Sequence, residues 1–170
     1  MKLFVKNKVV SFGGNSDVLD EEGKKAYQVK GKVFSFTKKK YVCDMEGNPI
    51  FMVRNKYWHL IRKSIYIYDV RDGKNEKMCR IFAPVFAKWK IKNYGDNNFE
   101  IQGGMFSKVR GIMISEDGKD LGAFSRNVDL AMLFDVRDSY VVDVYEPDAD
   151  AFLVAAAVGL DNIYDDWDNK

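Results

Sequence analysis

The residues best suited to chemistry are cations gathered just before a strand-like stretch: Arg54, Lys56, Arg62 and Lys63, interleaved with Tyr57, Trp58, Leu60 and Ile61. Arginine matches phosphate oxygens with two parallel N–H groups, and lysine adds a compact positive charge. Trp58 and Tyr57 carry amphipathic rings that suit a lipid–water boundary. The segment reads as a candidate anion site, for a phospholipid headgroup or another phosphorylated ligand. A second basic run, Lys38-Lys39-Lys40, follows Phe36-Thr37 at a turn tip and could extend the same surface. Near an anionic membrane each such cation contributes about 1 kcal/mol. Blander readings stand beside these. Arg54 to Lys63 could be a solvated strand end with Trp58 packed as a cap, and Lys38 to Lys40 a solubilising hairpin tip. Lys88, Lys90 and Lys92 read as the protected outer face of one strand.

Enzymatic signals are poor. His59 is the single histidine, so a histidine-bearing metal cluster or a His-dependent triad has at most one member. The sequence has no GxSxG, Walker loop or HExxH. Asp135 and Asp138 read as turn aspartates, and Gly103-Gly104 as a bulge or sharp bend. Cys43 and Cys79 are far apart, outside any CxxC pair, and read as free thiols packed in strands. No cofactor, metal or catalytic residue is expected.

The net charge of +2 hides an asymmetry. Residues 1–92 carry 21 of the 27 Lys and Arg but 9 of the 25 Asp and Glu, a balance of +12. Residues 93–170 carry 6 basic and 16 acidic residues, a balance of −10. A basic half invites an anionic partner. Alternatively, the two halves face each other across one closed fold and neutralise. The N-terminus has charges where a signal peptide needs an apolar run, and no stretch is long enough to span a bilayer. A cytoplasmic protein is expected, with peripheral membrane attachment as the use of its basic face.

The elements that must position these residues follow from turns and periodicity. Glu22-Gly23, Gly47-Asn48, Asp72-Gly73, Gly95-Asp96 and Asp117-Gly118 are pairs that supply positive φ for tight turns. Their glycines fall 24, 26, 22 and 23 residues apart, which fits two strands and two connections per unit. Between the turns the period is two: in Ser64-Ile65-Tyr66-Ile67-Tyr68 the isoleucines share one face and the tyrosines the other. The last unit differs. Pro147 interrupts the strand pattern, Asp148 or Asp150 can cap a helix, and residues 151–160 are apolar on every face until Asp161-Asn162. Such a helix must be buried, and ten residues reach only about 15 Å. The expected fold is all-β with one helix: a closed antiparallel barrel of about 12 strands around a buried hydrophobic C-terminal helix. A barrel that wide needs the helix as filling. One domain is expected over residues 1–164, with an acidic, loosely held tail at 165–170.

This order resembles the tubby-like C-terminal superfamily, and is most similar to the LURP-one-related family and its bacterial members. The carrying stretches are Asp20-Glu21-Glu22-Gly23, Val33-Phe34-Ser35-Phe36, Tyr41 to Gly47, Ser64 to Tyr68, Asp138 to Val144 and the helix 151–160. The resemblance implies a closed barrel around its C-terminal helix. It also implies distant kinship with phospholipid scramblases and with tubby proteins, which bind phosphoinositides and contact DNA. The basic run that tubby domains place before the strand matching Ser64 to Tyr68 survives here at Arg54, Lys56, Arg62 and Lys63, broken by apolar and aromatic residues.

The expected function is a non-enzymatic binding module for an anionic membrane surface, a phosphoinositide-like headgroup or another phosphorylated ligand. Nucleic acid is disfavoured. The alternatives are a protein-interaction scaffold, or a small-molecule enzyme or carrier using the barrel mouth. A helix filling the lumen would leave little room for a cavity of the usual roughly 300–1,000 Å³.

Overall fold

Alternating side chains and paired turn residues build a meander of twelve antiparallel strands. The computed structural model describes residues 1–6, 15–31, 37–56, 64–82, 88–103, 112–126 and 139–168. In chain order the strands are β1 (Lys2–Lys6), β2 (Ser16–Leu19), β3 (Lys25–Gly31), β4 (Lys40–Cys43), β5 (Pro49–Asn55) and β6 (Ser64–Asp69). They continue with β7 (Glu76–Phe82), β8 (Lys90–Asn93), β9 (Phe99–Gln102), β10 (Ile112–Glu116), β11 (Lys119–Arg126) and β12 (Ser139–Val144). The helix α1 spans Asp150–Asp168. Each strand pairs with the next in sequence except β8 with β9, and β1 pairs with β12, which brings the first and last strands together.

The sheet is nearly closed, and its seam lies between β8 and β9. Two polar links bridge it. The Asn93 side chain donates to the Phe99 carbonyl at 2.9 Å and accepts from the Phe99 N–H at 3.1 Å, as a strand neighbour would. Further along, Trp89 N–H donates to the Gly103 carbonyl at 3.3 Å. These bonds satisfy backbone groups that an open sheet edge would leave unpaired.

All five turn pairs contain the expected positive φ. At Asp117-Gly118 both residues adopt it, at 50° and 77°, which is the backbone sense that lets β10 and β11 follow the right-handed twist of the sheet. The alternation is also as read. Ile65 and Ile67 point into the core, as does Trp89, while Lys88, Lys90 and Lys92 are exposed. Cys43 and Cys79 are free and buried.

Helix α1 fills the lumen. Every residue from Ala151 to Ile163 is buried, so the strands sheathe it on all sides. The small residues let the wall close in: a Cβ on Gly159 would lie 2.3 Å from Ile65 Cδ1 and 3.1 Å from Val53 Cγ1. The helix is longer than the apolar run. Asp161 and Asn162 do not end it, because both are buried and bonded to the barrel wall. Lys40 Nζ reaches Asp161 at 3.7 Å, and Asn162 Nδ2 donates to the Lys38 carbonyl at 3.4 Å. Ile163 then continues the core. The backbone stays helical through Asp168, so most of the expected loose acidic tail belongs to α1.

Candidate functional site

The basic residues of the N-terminal half come together on the outer wall. Register places Arg54 of β5 opposite Tyr66 of β6, Tyr66 opposite Arg80 of β7, and Arg80 opposite Lys92 of β8. Side chains in register share a face, so one row crosses four strands. Met52, Tyr68 and Lys77 form the adjacent row.

The two rows interlock through ring–cation contacts. The Tyr66 ring centroid lies 5.7 Å from the Arg54 guanidinium, 5.2 Å from Lys77 Nζ and 5.8 Å from the Arg80 guanidinium. Tyr94 is flanked by Lys77 at 4.8 Å and Lys92 at 5.5 Å. Arg54 also donates to the Tyr68 hydroxyl, at 2.6 Å from Nη2 and 3.2 Å from Nε. Aromatic faces attract cations by about 0.5–1 kcal/mol at exposed sites. That holds the side chains in place and leaves their charge uncancelled. Among the described residues none of Arg54, Lys77, Arg80 or Lys92 pairs with a carboxylate, and buried Arg80 Nε has no hydrogen-bond partner. Such a wall can bind anionic groups through arginine forks, lysine charges and a tyrosine hydroxyl.

The basic residues read from sequence divide among several places. Arg54 belongs to the row. Lys56 is exposed at the end of β5, its N–H donating to the Ser64 carbonyl at 2.9 Å. Arg62 and Lys63 lie outside the described residues, as do Tyr57, Trp58, His59, Asp135 and Asp138. Lys38 is exposed with φ of 44°, and Lys39 is half-buried. Lys40 sits opposite Val53, a core residue, and its ammonium serves Asp161 of the helix. The structure thus brings Arg54, but not Lys40, to the outer row. Tyr66, Tyr68, Lys77, Arg80, Lys92 and Tyr94 were not singled out as a group. Alternation points to Tyr66 with Tyr68 and to Lys92, but Lys77 and Arg80 have opposite parity in β7, and only the register shift opposite Tyr68 brings both to this face.

The barrel mouth at the start of α1 has a different character. A cavity of about 770 Å³ opens there between β5–β7 and the β9–β11 turns. The helix fills the lumen below it without closing the mouth, so the expectation of little room does not hold at this end. Phe152, in the first turn of α1, stacks on Phe99 with centroids 4.3 Å apart and meets Phe51 edge-on at 6.0 Å. Carboxylates dominate the rim. Burial pushes the Glu116 carboxyl above its usual range, and the neighbouring charge of Asp117 adds to this. Asp69, just behind the rim, is held below its usual range by the hydrogen bond from Arg71.

Comparison with known proteins agrees with this architecture. The family model described as LURP-one-related matches residues 1–161. An Arabidopsis thaliana protein solved by X-ray crystallography shares the fold at a TM-score of 0.61 and 15% sequence identity, over 96% of this chain and 90% of that one. No curated protein matches the chain.

Proposed function

The chain belongs to the LURP-one-related family, and from that premise we propose that it is a non-enzymatic binding module whose outer β5–β8 wall engages anionic phospholipid headgroups at a membrane surface. One observation carries the reading: three cations, Arg54, Lys77 and Arg80, converge on the ring of Tyr66, and no described carboxylate pairs with them. Their mutual repulsion is relieved when an anion arrives. The four cations of the wall are spread across adjacent strands, which suits an extended anionic surface. At about 1 kcal/mol each near such a surface they supply about 4 kcal/mol, roughly a thousandfold in partitioning. Attachment of that strength is reversible and sensitive to salt.

Kinship with the tubby-like superfamily and the phospholipid scramblases belongs to the same proposal and supports the same ligand chemistry. Among the described residues no helix is long and apolar enough to cross a membrane, and the proposed attachment is peripheral, on a cytoplasmic leaflet. Lys56, Lys38 and Lys39 would extend the contact, and the sequence pair Arg62 and Lys63 belongs to the same proposal. Binding to vesicles of defined charge, at low and high salt, tests the proposal.

A further inference from the structure

We infer that the barrel mouth is a second site, for a small organic cation: a protonated amine with an aromatic or branched aliphatic body. Its volume, about 770 Å³, lies within the range of small-molecule sites. The floor is apolar. The rings of Phe99, Phe152 and Phe51 pack on one another and reach the cavity with only 4%, 4% and 5% of their surface exposed, and the partly buried Ile50, Met78 and Ala149 supply further apolar lining that an aromatic or aliphatic body would cover. A cation already uses it at the edge, since the Arg71 guanidinium lies 5.7 Å from the Phe51 ring centroid.

The rim selects the sign of the ligand. Among the described residues, five carboxylates line the cavity, at Glu116, Asp117, Glu146, Asp148 and Asp150, against two cations. Both cations are already answered: Asp69 holds Arg71, and Glu146 holds Lys119 at 2.7 Å. Asp150 accepts the Tyr27 hydroxyl, and Asp117 accepts from Asn98 Nδ2 at 2.8 Å. The carboxylates of Glu116 and Asp148 have neither a hydrogen bond nor an ion pair among the described residues. They form an unanswered negative pair above an aromatic floor. A carboxylate or phosphate would meet repulsion there, so the site discriminates by charge as well as by shape. It is independent of the basic wall, whose ligand has the opposite charge.

Calorimetric titration of the full chain with 4-phenylbutylamine, 4-phenylbutyrate and n-butylamine tests this, together with NMR shifts of the aromatic rings. The amine with a ring should bind and shift the resonances of Phe51, Phe99 and Phe152. Its anionic counterpart and the ringless amine should each bind at least about tenfold more weakly. Glu116→Gln combined with Asp148→Asn should weaken the arylamine to a similar degree, since neither side chain holds a contact the fold requires. Equal binding of the acid and the amine would overturn the inference, as would millimolar arylamine that leaves the three rings unshifted. Because the comparison of the three probes is made on the unaltered chain, it decides the matter even if the double variant misfolds.

Discussion

The Tyr27 hydroxyl donates to Asp150 Oδ2 at 2.6 Å, joining β3 to the first residue of α1 across 123 positions of sequence. At the far end of the buried segment Lys40 of β4 meets Asp161, with side-chain exposures of 18% and 8%. The buried segment of the helix is therefore held at both ends by polar contacts to neighbouring strands. Its apolar middle supplies the burial energy, which is non-directional. The end contacts fix how far along the barrel axis the helix sits.

Removing the upper clamp should cost stability without unfolding the protein. Tyr27→Phe leaves Asp150 without its partner, and Asp150→Ala also removes the acceptor for the Ala151 N–H. The first should cost about 1–2 kcal/mol and the second somewhat more. In a double-mutant cycle followed by urea denaturation the two losses should be less than additive. Full additivity would mean that the bond does not act as a clamp.

Alkaline pH should destabilise the protein in a defined window. Burial pushes the Cys79 thiol from its ordinary 9.0 up to about 12. Tyr27 is also raised, first by burial and then by its hydrogen bond to Asp150 and the charge there. Between these folded and unfolded values the unfolded chain has lost a proton that the native protein keeps. Stability is complete below about pH 9 and falls as pH rises, by about 1.4 kcal/mol per unit for one such group. Cys79→Ala should flatten the slope of unfolding free energy against pH between 9 and 10, whatever its effect on absolute stability. An unchanged slope would rule out Cys79 as the source.

The close fit around α1 should reject added volume. At Gly159 the Cβ of alanine would meet Ile65 Cδ1 at 2.3 Å. Overpacking costs about 1–3 kcal/mol, which outweighs the gain of about 1 kcal/mol in helix propensity over glycine. Gly159→Ala should therefore lower the melting temperature, and Gly159→Leu should lower it further. Ala156→Asp should abolish folding, since it places an unpaired charge at a position with no exposure to solvent. A stable, soluble Ala156→Asp protein would mean that the helix leaves the lumen.

Much of the barrel was legible because its signals are local. Asp117-Gly118 declares a tight turn by residue type, and Ile65 and Ile67 declare a core face by spacing. The extent of α1 was not legible. Asp161 and Asn162 look like a helix end, and the partners that bury them, Lys40 and the Lys38 carbonyl, lie more than a hundred residues earlier. Asn93 similarly resembles an ordinary strand end, although its side chain bridges the barrel seam. The basic row has the same limitation. Arg54, Tyr66, Arg80 and Lys92 sit on four strands, and a shift of one residue in register would turn a side chain to the opposite face. Sequence marks each residue as outward-facing but cannot align them.

The most direct measurement is co-sedimentation with vesicles of phosphatidylcholine alone and of phosphatidylcholine containing phosphatidylserine, each at low and high salt. The unaltered protein should sediment with the anionic vesicles at low salt, be released at high salt, and ignore the neutral ones. Lys77→Glu combined with Arg80→Glu should keep the circular dichroism spectrum and reduce anionic-vesicle binding by at least about tenfold, since each reversal removes an attraction and adds a repulsion. Unaltered protein that stays in solution with anionic vesicles at low salt would contradict the membrane role of this wall. So would full binding by the charge-reversed variant.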